Sequence, residues 1–351
     1  MTTFANDIIE WQRRHGRHDL PWQKRDAYAV WISEVMLQQT QVTTVIPYYE
    51  RFMHRFPDIA ALSRASLDEV LTHWSGLGYY SRARNLHRAA RVVCERHEGE
   101  FPRSFDEVVA LPGIGRSTAA AIMVFGFGER CAILDGNVKR VLARVRATEG
   151  YPGQKRVADA LWQHAERLLP EGDVEVYTQG LMDLGAGVCT RVNPRCGVCP
   201  VGGHCVAFET GRVADFPAPR PRKLLPHKRC GMMIIECDGA LLLEKRPMLG
   251  VWGGLWCFPE IAAAEDAAAV CMSRYGIHVE SVEAMHIVEH GFTHFTLTIS
   301  PLRMRATRIV HHASETDYRW IDIANVTHSA IPAPVRRIVE AMAIREAPQP
   351  A

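Results

Sequence analysis

Apolar positions recur at helical spacing through the first 212 residues. Tyr28–Leu37, Leu67–Trp74, Arg82–Cys94, Thr118–Phe125 and Val138–Arg144 each read as an amphipathic helix, and Gly and Pro separate them. Few stretches alternate with period two, so residues 1–212 are expected to be all-α. The texture changes at residues 213–229, where Pro217, Pro219, Pro221 and Pro226 stand among basic side chains. Pro-rich basic text of this kind makes a semi-rigid linker. Beyond it, Gly231–Glu236 and Ala240–Arg246 are apolar runs joined through Asp238-Gly239, a strong hairpin signal. Phe295–Ile299 and Leu302–Ala306 predict two further strands, and Ala262–Tyr275 and Ala333–Ala343 predict helices. Residues 230–351 thus read as a small α+β domain, and no internal repeat is visible.

Composition changes this picture little. The chain has 351 residues, 47% apolar and 23% charged, which suits a soluble globular protein of two domains. No apolar run is long enough to span a bilayer. Met1–Asp19 is polar without an apolar core segment, so no secretory signal is read and the cytoplasm is the expected compartment. A net charge of +2 does not by itself announce a nucleic-acid partner. Locally, Arg82, Arg84, Arg88, Arg91 and Arg96 face only Glu95 between Ser81 and His97, which is either a solvated helix face or a set of phosphate contacts.

Ten cysteines in a chain expected to be cytosolic favour metal over disulfides. Cys189, Cys196, Cys199 and Cys205 follow the spacing C-x6-C-x2-C-x5-C, with Gly and Pro between them. Four thiolates so close suit one tight site, either tetrahedral zinc or an iron–sulfur cube. The other six cysteines read as small core residues.

Three further segments carry candidate chemistry. Leu111-Pro112-Gly113-Ile114-Gly115-Arg116-Ser117-Thr118 opens an apolar helix, and the glycines let backbone N–H groups point at an anion; alone it could be a plain turn. Asp135, in Leu134-Asp135-Gly136-Asn137, precedes a helical run and reads as an N-cap whose ionised form the helix start favours. Glu34 lies among Trp31, Val35 and Leu37 at helical spacing. A carboxyl in such a wall holds its proton toward neutral pH, although most helical glutamates are simply solvated.

The cysteine spacing and Leu111–Thr118 resemble the endonuclease III superfamily of DNA glycosylases. There the cysteines hold a [4Fe–4S] cluster and the second segment is a helix-hairpin-helix, here residues 111–122. Ser33-Glu34-Val35-Met36-Leu37-Gln38-Gln39-Thr40-Gln41 and Gly76-Leu77-Gly78-Tyr79-Tyr80-Ser81-Arg82-Ala83-Arg84-Asn85 resemble, more narrowly, the MutY adenine glycosylases. The resemblance covers essentially the whole chain. It implies an all-α catalytic region (1–212) with a [4Fe–4S] loop at 189–205, the linker 213–229, and a MutT (Nudix)-like domain (230–351).

The resemblance also implies the chemistry. Glu34 would protonate a flipped adenine and Asp135 would stabilise the developing charge at the sugar. Asn137 would help position the aspartate or the DNA backbone. Tyr79 and Gln39 would wedge beside the partner base, with Gln38 near them. Arg82, Arg84, Gly113, Gly115 and Ser117 would hold phosphates. Relatives that also cut the strand carry a nucleophilic lysine where Ser117 stands, so a monofunctional enzyme is expected. In the C-terminal domain, Gly253–Pro259 matches the MutT-like segment, but Ala262–Cys271 lacks the R-E-x-x-E-E that holds Mg²⁺ in true hydrolases. That domain is then a reader of 8-oxoguanine through Phe292, Thr293 and His294. Thr stands where the family has Ser; it keeps the hydroxyl and adds a methyl. The expected partner is duplex DNA with A opposite 8-oxoguanine or G, bound by a monomer without a membrane, in the cytoplasm at the nucleoid. The linker offers a docking place for repair proteins. Three other readings compete: a glycosylase for damaged pyrimidines, which Ser117 and the Glu34 segment oppose; a nucleotide pyrophosphohydrolase, which the missing acidic residues oppose; and a non-catalytic DNA-binding module.

Overall fold

Helix starts follow the side chains able to cap them. Thr3, Asp26, Ser66, Asp135 and Asp266 each accept a bond from an N–H two or three residues onward. A computed structural model describes residues 3–23, 26–221, 224–262, 265–309 and 318–346. It contains α1 (Phe4–His15), α2 (Ala27–Leu37), α3 (Val42–Arg55), α4 (Ile59–Arg64), α5 (Leu67–Trp74), α6 (Ser81–Arg96), α7 (Phe105–Ala110) and α8 (Arg116–Phe127). α9 (Gly136–Val145), α10 (Lys155–Arg167), α11 (Val174–Gly187) and α12 (Val206–Glu209) follow. Next come β1 (His227–Cys237), β2 (Ala240–Lys245), β3 (Trp256–Cys257), β4 (Glu260–Ile261), α13 (Ala267–Tyr275) and β5 (Ile277–Ala284). The chain ends with β6 (Val288–Gly291), β7 (Thr296–Ile309), β8 (Tyr318–Asp322), α14 (Ile323–Val326) and α15 (Ala333–Glu346). Two compact units result: Met1–Arg64 with Asn85–Arg222, and Ala65–Arg84 with Lys223–Ala351. Among the described residues no helix is long and apolar enough to cross a membrane.

In the first unit α2 packs on α8 and α3, α1 on α11, and α11 on α9. The sequence pattern predicts one apolar face for α2, yet Ala27–Ser33, Val35 and Met36 are all buried. Neighbouring helices enclose it, which an almost wholly apolar helix permits. α8 is similar, with Ala119–Val124 buried. The loop after α1 is tied to α11 by Asp183. Its carboxylate accepts from the Arg17 backbone N–H (2.8 Å), from Arg17 Nε (2.8 Å) and from Gln179 Nε2 (2.8 Å).

The second unit contains a mixed sheet of order β3-β2-β1-β7-β5, with β4 on β1, β6 on β7 and β8 on β2. β1 and β7 run parallel and the other pairs antiparallel. The β1–β2 hairpin turns at Asp238 (φ 48°) and Gly239 (φ 77°), both left-handed, as a tight hairpin turn requires. The two strands expected at 295–306 are one, β7. The expected break, Ser300-Pro301, falls where the antiparallel neighbour changes from β6 (Val288↔Ile299) to β5 (Ala284↔Leu302). Pro301 has no N–H to donate, and the gap between neighbours is where a central strand tolerates that. α13 begins at Ala267, where Asp266 caps it, rather than at Ala262. Residues 263–264 of that stretch lie outside the described residues.

Replacing Asp183 with Ala strands the Arg17 guanidinium and two further donors. Breaking a fully buried pair costs about 3–5 kcal/mol, and partial exposure of Arg17 reduces this to about 2–3 kcal/mol. Urea unfolding of the variant is expected to show an earlier midpoint, by a shift that multiplied by the slope m gives about 2–3 kcal/mol; an unchanged midpoint would contradict the pair's contribution.

Candidate active site

Within the first unit, α2, the loop after it, the start of α8 and the Leu134–Lys139 segment surround a cleft of about 1420 Å³. Glu34, Gln38, Gln39, Ser117, Asp135 and Asn137 all line it. The hairpin glycines sit at the start of α8. Gly113 has φ 80°, and a Cβ there would lie 2.6 Å from Asn85 Cβ, so the turn needs glycine on both counts. Gly115 caps α8 without a side-chain bond and faces open space, leaving the first N–H groups of the helix to be met from outside.

The Ser117 hydroxyl accepts from the Leu134 N–H (3.1 Å), so the hairpin holds the segment that delivers Asp135. Asp135 caps α9 and accepts from the Val138 N–H at 2.7 Å. Asn137 is held from two sides. Its Oδ1 accepts from Arg140 Nη2 (2.9 Å), and Gly185 of α11 passes so close that a Cβ would be 2.6 Å from Asn137 Cβ. Gln38 Nε2 donates to Thr118 Oγ1 (3.2 Å), and Gln39 adopts φ 59°.

Glu34 is half-buried on the cleft wall, among the apolar side chains of α2. Burial is the larger cause and the negative charge of Asp135 the second; together they push Glu34 up to about 8. Asp135 also lies above its ordinary value. Burial raises it more than the Val138 and Asn137 N–H groups, Arg140 and Lys139 lower it. The helix start therefore moderates the effect of burial on Asp135 instead of dominating it. Because the charge of Asp135 acts on Glu34, Asp135 ionises first and Glu34 keeps the last proton. Lys139 also lines the cleft and escapes sequence reasoning, although it stands one turn after Asp135 on the same helix face.

The four cysteines line one small hollow with Val141, Val145, Leu184 and Val201. Cys189, Cys199 and Cys205 pack against the core of the first unit. Burial pushes Cys199 up to about 11, so a thiolate there needs bound positive charge. Buried Arg144 brings positive charge to a different one of the four, Cys189: it donates from Nη1 to Cys189 Sγ (3.3 Å) and Thr190 O (2.8 Å), and from Nε to Phe216 O (2.9 Å). Arg140 Nε adds a bond to Cys189 O (2.7 Å). A soft, apolar-walled four-thiol hollow with arginine donors fits an iron–sulfur group. Arg140 also links it to Asn137 and Gly185 beside the cleft.

Family models agree with this geometry. One described as the HhH-GPD superfamily base excision DNA repair protein matches residues 32–167, and the iron-sulfur binding domain of endonuclease III matches 189–205. The NUDIX domain matches 230–341. An adenine DNA glycosylase of Buchnera aphidicola subsp. Acyrthosiphon pisum is 37% identical over 339 residues, 96% of this chain and 97% of that one. The Mus musculus adenine DNA glycosylase is 33% identical over 399 residues, 96% of this chain and 77% of that one. The chain belongs to the adenine DNA glycosylase family. As in that family, it is an enzyme that removes adenine from DNA, with an iron–sulfur loop at 189–205. Among solved structures, a thermostable thymine-DNA glycosylase is similar at 30% identity and TM-score 0.53, over 59% of this chain and 95% of that one.

The remaining candidate residues fall in the second unit. Tyr79 is exposed, with φ 47°. Arg82 is buried beneath it and donates from Nη2 to Leu77 O and Gly78 O, both at 3.2 Å, with its guanidinium over the Tyr79 and Trp74 rings. Arg84 Nη1 donates to Gly253 O (2.7 Å). Both guanidiniums thus bond backbone carbonyls, an environment that an arginine-rich stretch does not reveal. Thr293 and His294 are exposed at a turn closed by the Phe292 N–H donating to Phe295 O (2.8 Å), with Phe292 stacked on Phe295.

Glu34 carries a stability signature. In the unfolded chain a glutamate titrates near ~4.3. With the folded value raised to about 8, the stability it contributes is full below ~4.3 and is lost as pH rises through about 8. Gln does not titrate, so the melting temperature of Glu34→Gln is expected to gain on wild type between about pH 5 and pH 8.5. A gap that stays constant across that range would contradict the burial of the carboxyl.

Proposed function

We propose that the enzyme hydrolyses adenine from A opposite 8-oxoguanine or G in duplex DNA and does not cut the strand. The observation that carries this reading is the pair Glu34 and Asp135 on one cleft wall in unlike surroundings. Two carboxyl groups set apart in this way divide acid and stabilising roles, as in glycosidases.

A stacked adenine keeps its reacting atoms out of reach, so it must first be extruded, at a cost of a few kcal/mol. Tyr79, with Gln39, fills the gap it leaves. The open helix start at Gly113–Ser117 takes a phosphate, and Gln38 and Asn137 position the nucleotide. Glu34 gives its proton to adenine N7. The C1′–N9 bond breaks and its electron pair leaves with the base. Asp135, ionised, faces the positive charge that grows at C1′. Water then attacks C1′, and its proton returns to Glu34. Cys189, Cys196, Cys199 and Cys205 hold the group, a [4Fe–4S] cluster, which orders the loop against α9. Ser117 has no amine, so no Schiff base forms at that position.

The C-terminal unit reads the lesion base with Phe292, Thr293 and His294 and does not hydrolyse nucleotides. The enzyme works as a monomer in the cytoplasm, at the nucleoid, and linker 213–229 is a docking place for repair proteins.

Single-turnover reaction of a duplex with one A opposite 8-oxoguanine, then alkali, tests this reading. The A strand is expected to break only after alkali, and an A·T duplex to stay intact. Glu34→Gln should slow the reaction by about 10²–10⁴-fold. The wild-type rate should fall as pH rises through about 8, where the Glu34 proton is lost. Strand cutting without alkali, with strong borohydride trapping, would defeat the monofunctional reading. An iron-loaded preparation that leaves the lesion duplex intact would defeat the substrate.

A further inference from the structure

The second unit holds two strained aromatics on neighbouring segments, which the Arg84–Gly253 bond connects. Tyr79 (φ 47°) and Trp252 (φ 55°) both hold the left-handed conformation that bulky residues avoid. Such strain persists only where surrounding contacts over-determine it. For Tyr79 those contacts are the Arg82 bonds to Leu77 O and Gly78 O. For Trp252 they are the bonds that close the loop between Arg246 and Leu255. Arg246 N–H donates to Leu255 O (2.8 Å), Gly254 N–H to Arg246 O (3.1 Å) and Leu255 N–H to Trp252 O (3.0 Å). Gly253 packs so tightly that a Cβ would be 2.3 Å from Met248 O, so this loop has little freedom.

Two adjacent residues of this loop grip different functional elements. The Trp252 ring lies 5.6 Å from Phe292 and 5.8 Å from His290, behind the exposed Thr293-His294 turn. One residue on, Gly253 O accepts from Arg84 Nη1 at 2.7 Å. Arg84 lies in the first turn of α6, whose start follows directly from Tyr79; Arg82 N–H donates to Tyr79 O (2.9 Å). Further bonds tie the Tyr79 segment to the same unit: Lys245 Nζ to Asp68 Oδ1 (2.7 Å), Trp256 Nε1 to Asp68 Oδ2 (3.3 Å) and Ser75 Oγ to Ile331 O (3.2 Å).

We infer that the Arg246–Leu255 loop is a strut in which Trp252 and Arg84 are positioning residues, setting the wedge Tyr79 in register with the lesion-reading turn. The inference rests on the roles proposed above for Tyr79, Thr293 and His294. Coupling of this kind means that seating 8-oxoguanine against the turn orders the Tyr79 loop, so lesion preference and wedge insertion rise and fall together. Spatial continuity alone does not establish coupling; non-additivity does.

The experiment uses the full-length, iron-loaded enzyme and the variants Trp252→Leu, Arg84→Met and their double. Two signals are read: the ratio of single-turnover rates on A·8-oxoguanine and A·G duplexes, and the fluorescence of 2-aminopurine placed beside 8-oxoguanine, which rises when the wedge unstacks it. Thermal melts confirm folding, and Trp252→Phe, which keeps a ring on Phe292, restores both signals if packing is the cause. Each single variant is expected to lower the ratio roughly tenfold and slow the fluorescence rise, with the double no worse than the poorer single. Additive losses, or a lowered ratio with a normal fluorescence rise, overturn the strut. Tyr79→Ala and His294→Ala are run alongside. If these two leave both signals untouched, the roles assigned to those residues fail and the strut falls with them; if they abolish the signals while the strut variants do not, only the strut fails.

Discussion

The proposed chemistry depends on one constraint: a half-buried carboxyl group beside a second carboxyl that ionises first. Water stabilises a carboxylate far more than a protein wall does, so the burial around Glu34 makes its charged form costly. The ionised Asp135 raises that cost. A glutamate in this position keeps a proton at neutral pH and can hand it to a weakly basic ring nitrogen. Asp135 is buried too, but the N–H groups of α9, Lys139 and Arg140 offset part of the penalty. On the proposed reading the same functional group, a carboxyl, thus serves as acid at one position and as anion at the other.

Most of the first unit can be understood as the means of holding that pair. α2 is enclosed on nearly all sides, which fixes Glu34 in depth and rotation. Ser117 grips the segment before Asp135, and Asp135 itself caps α9. Arg140 and Arg144 then join α9 to the cysteine loop through Cys189 and its neighbours. His204 reaches from that loop to Asp7 of α1 (2.9 Å). An ordered iron–sulfur loop thereby braces the helix that carries Asp135, a structural contribution requiring no electron transfer.

Much of this was legible in the residues. The Asp238-Gly239 turn, the cysteine spacing and the capping aspartates are local signals, because turn and cap chemistry is decided within a few residues. The fold class follows from periodicity, and the Glu34 and Cys segments from a specific resemblance. What could not be read depends on partners distant in sequence. Pro301 looks like a strand end until the change of neighbour from β6 to β5 is known. Arg82 and Arg84 look like exposed cations, whereas carbonyls five residues before one and 169 residues after the other receive them. The Arg17–Asp183 pair spans 166 residues and leaves no local trace. Nor does a helix-forming stretch such as Leu67–Trp74 reveal that it packs with the C-terminal unit.

The central claim is tested most directly by watching the Glu34 carboxyl titrate. Carbon NMR of labelled glutamate, assigned by Glu34→Gln, would follow the side-chain carboxyl in wild type and in Asp135→Asn. The account predicts a midpoint near about 8 in wild type. In Asp135→Asn it should fall, yet stay well above the ordinary range of ~4.3, because burial is the larger cause. A wild-type midpoint in the ordinary glutamate range, or no response to the Asp135 substitution, would contradict the division of labour between the two carboxyl groups.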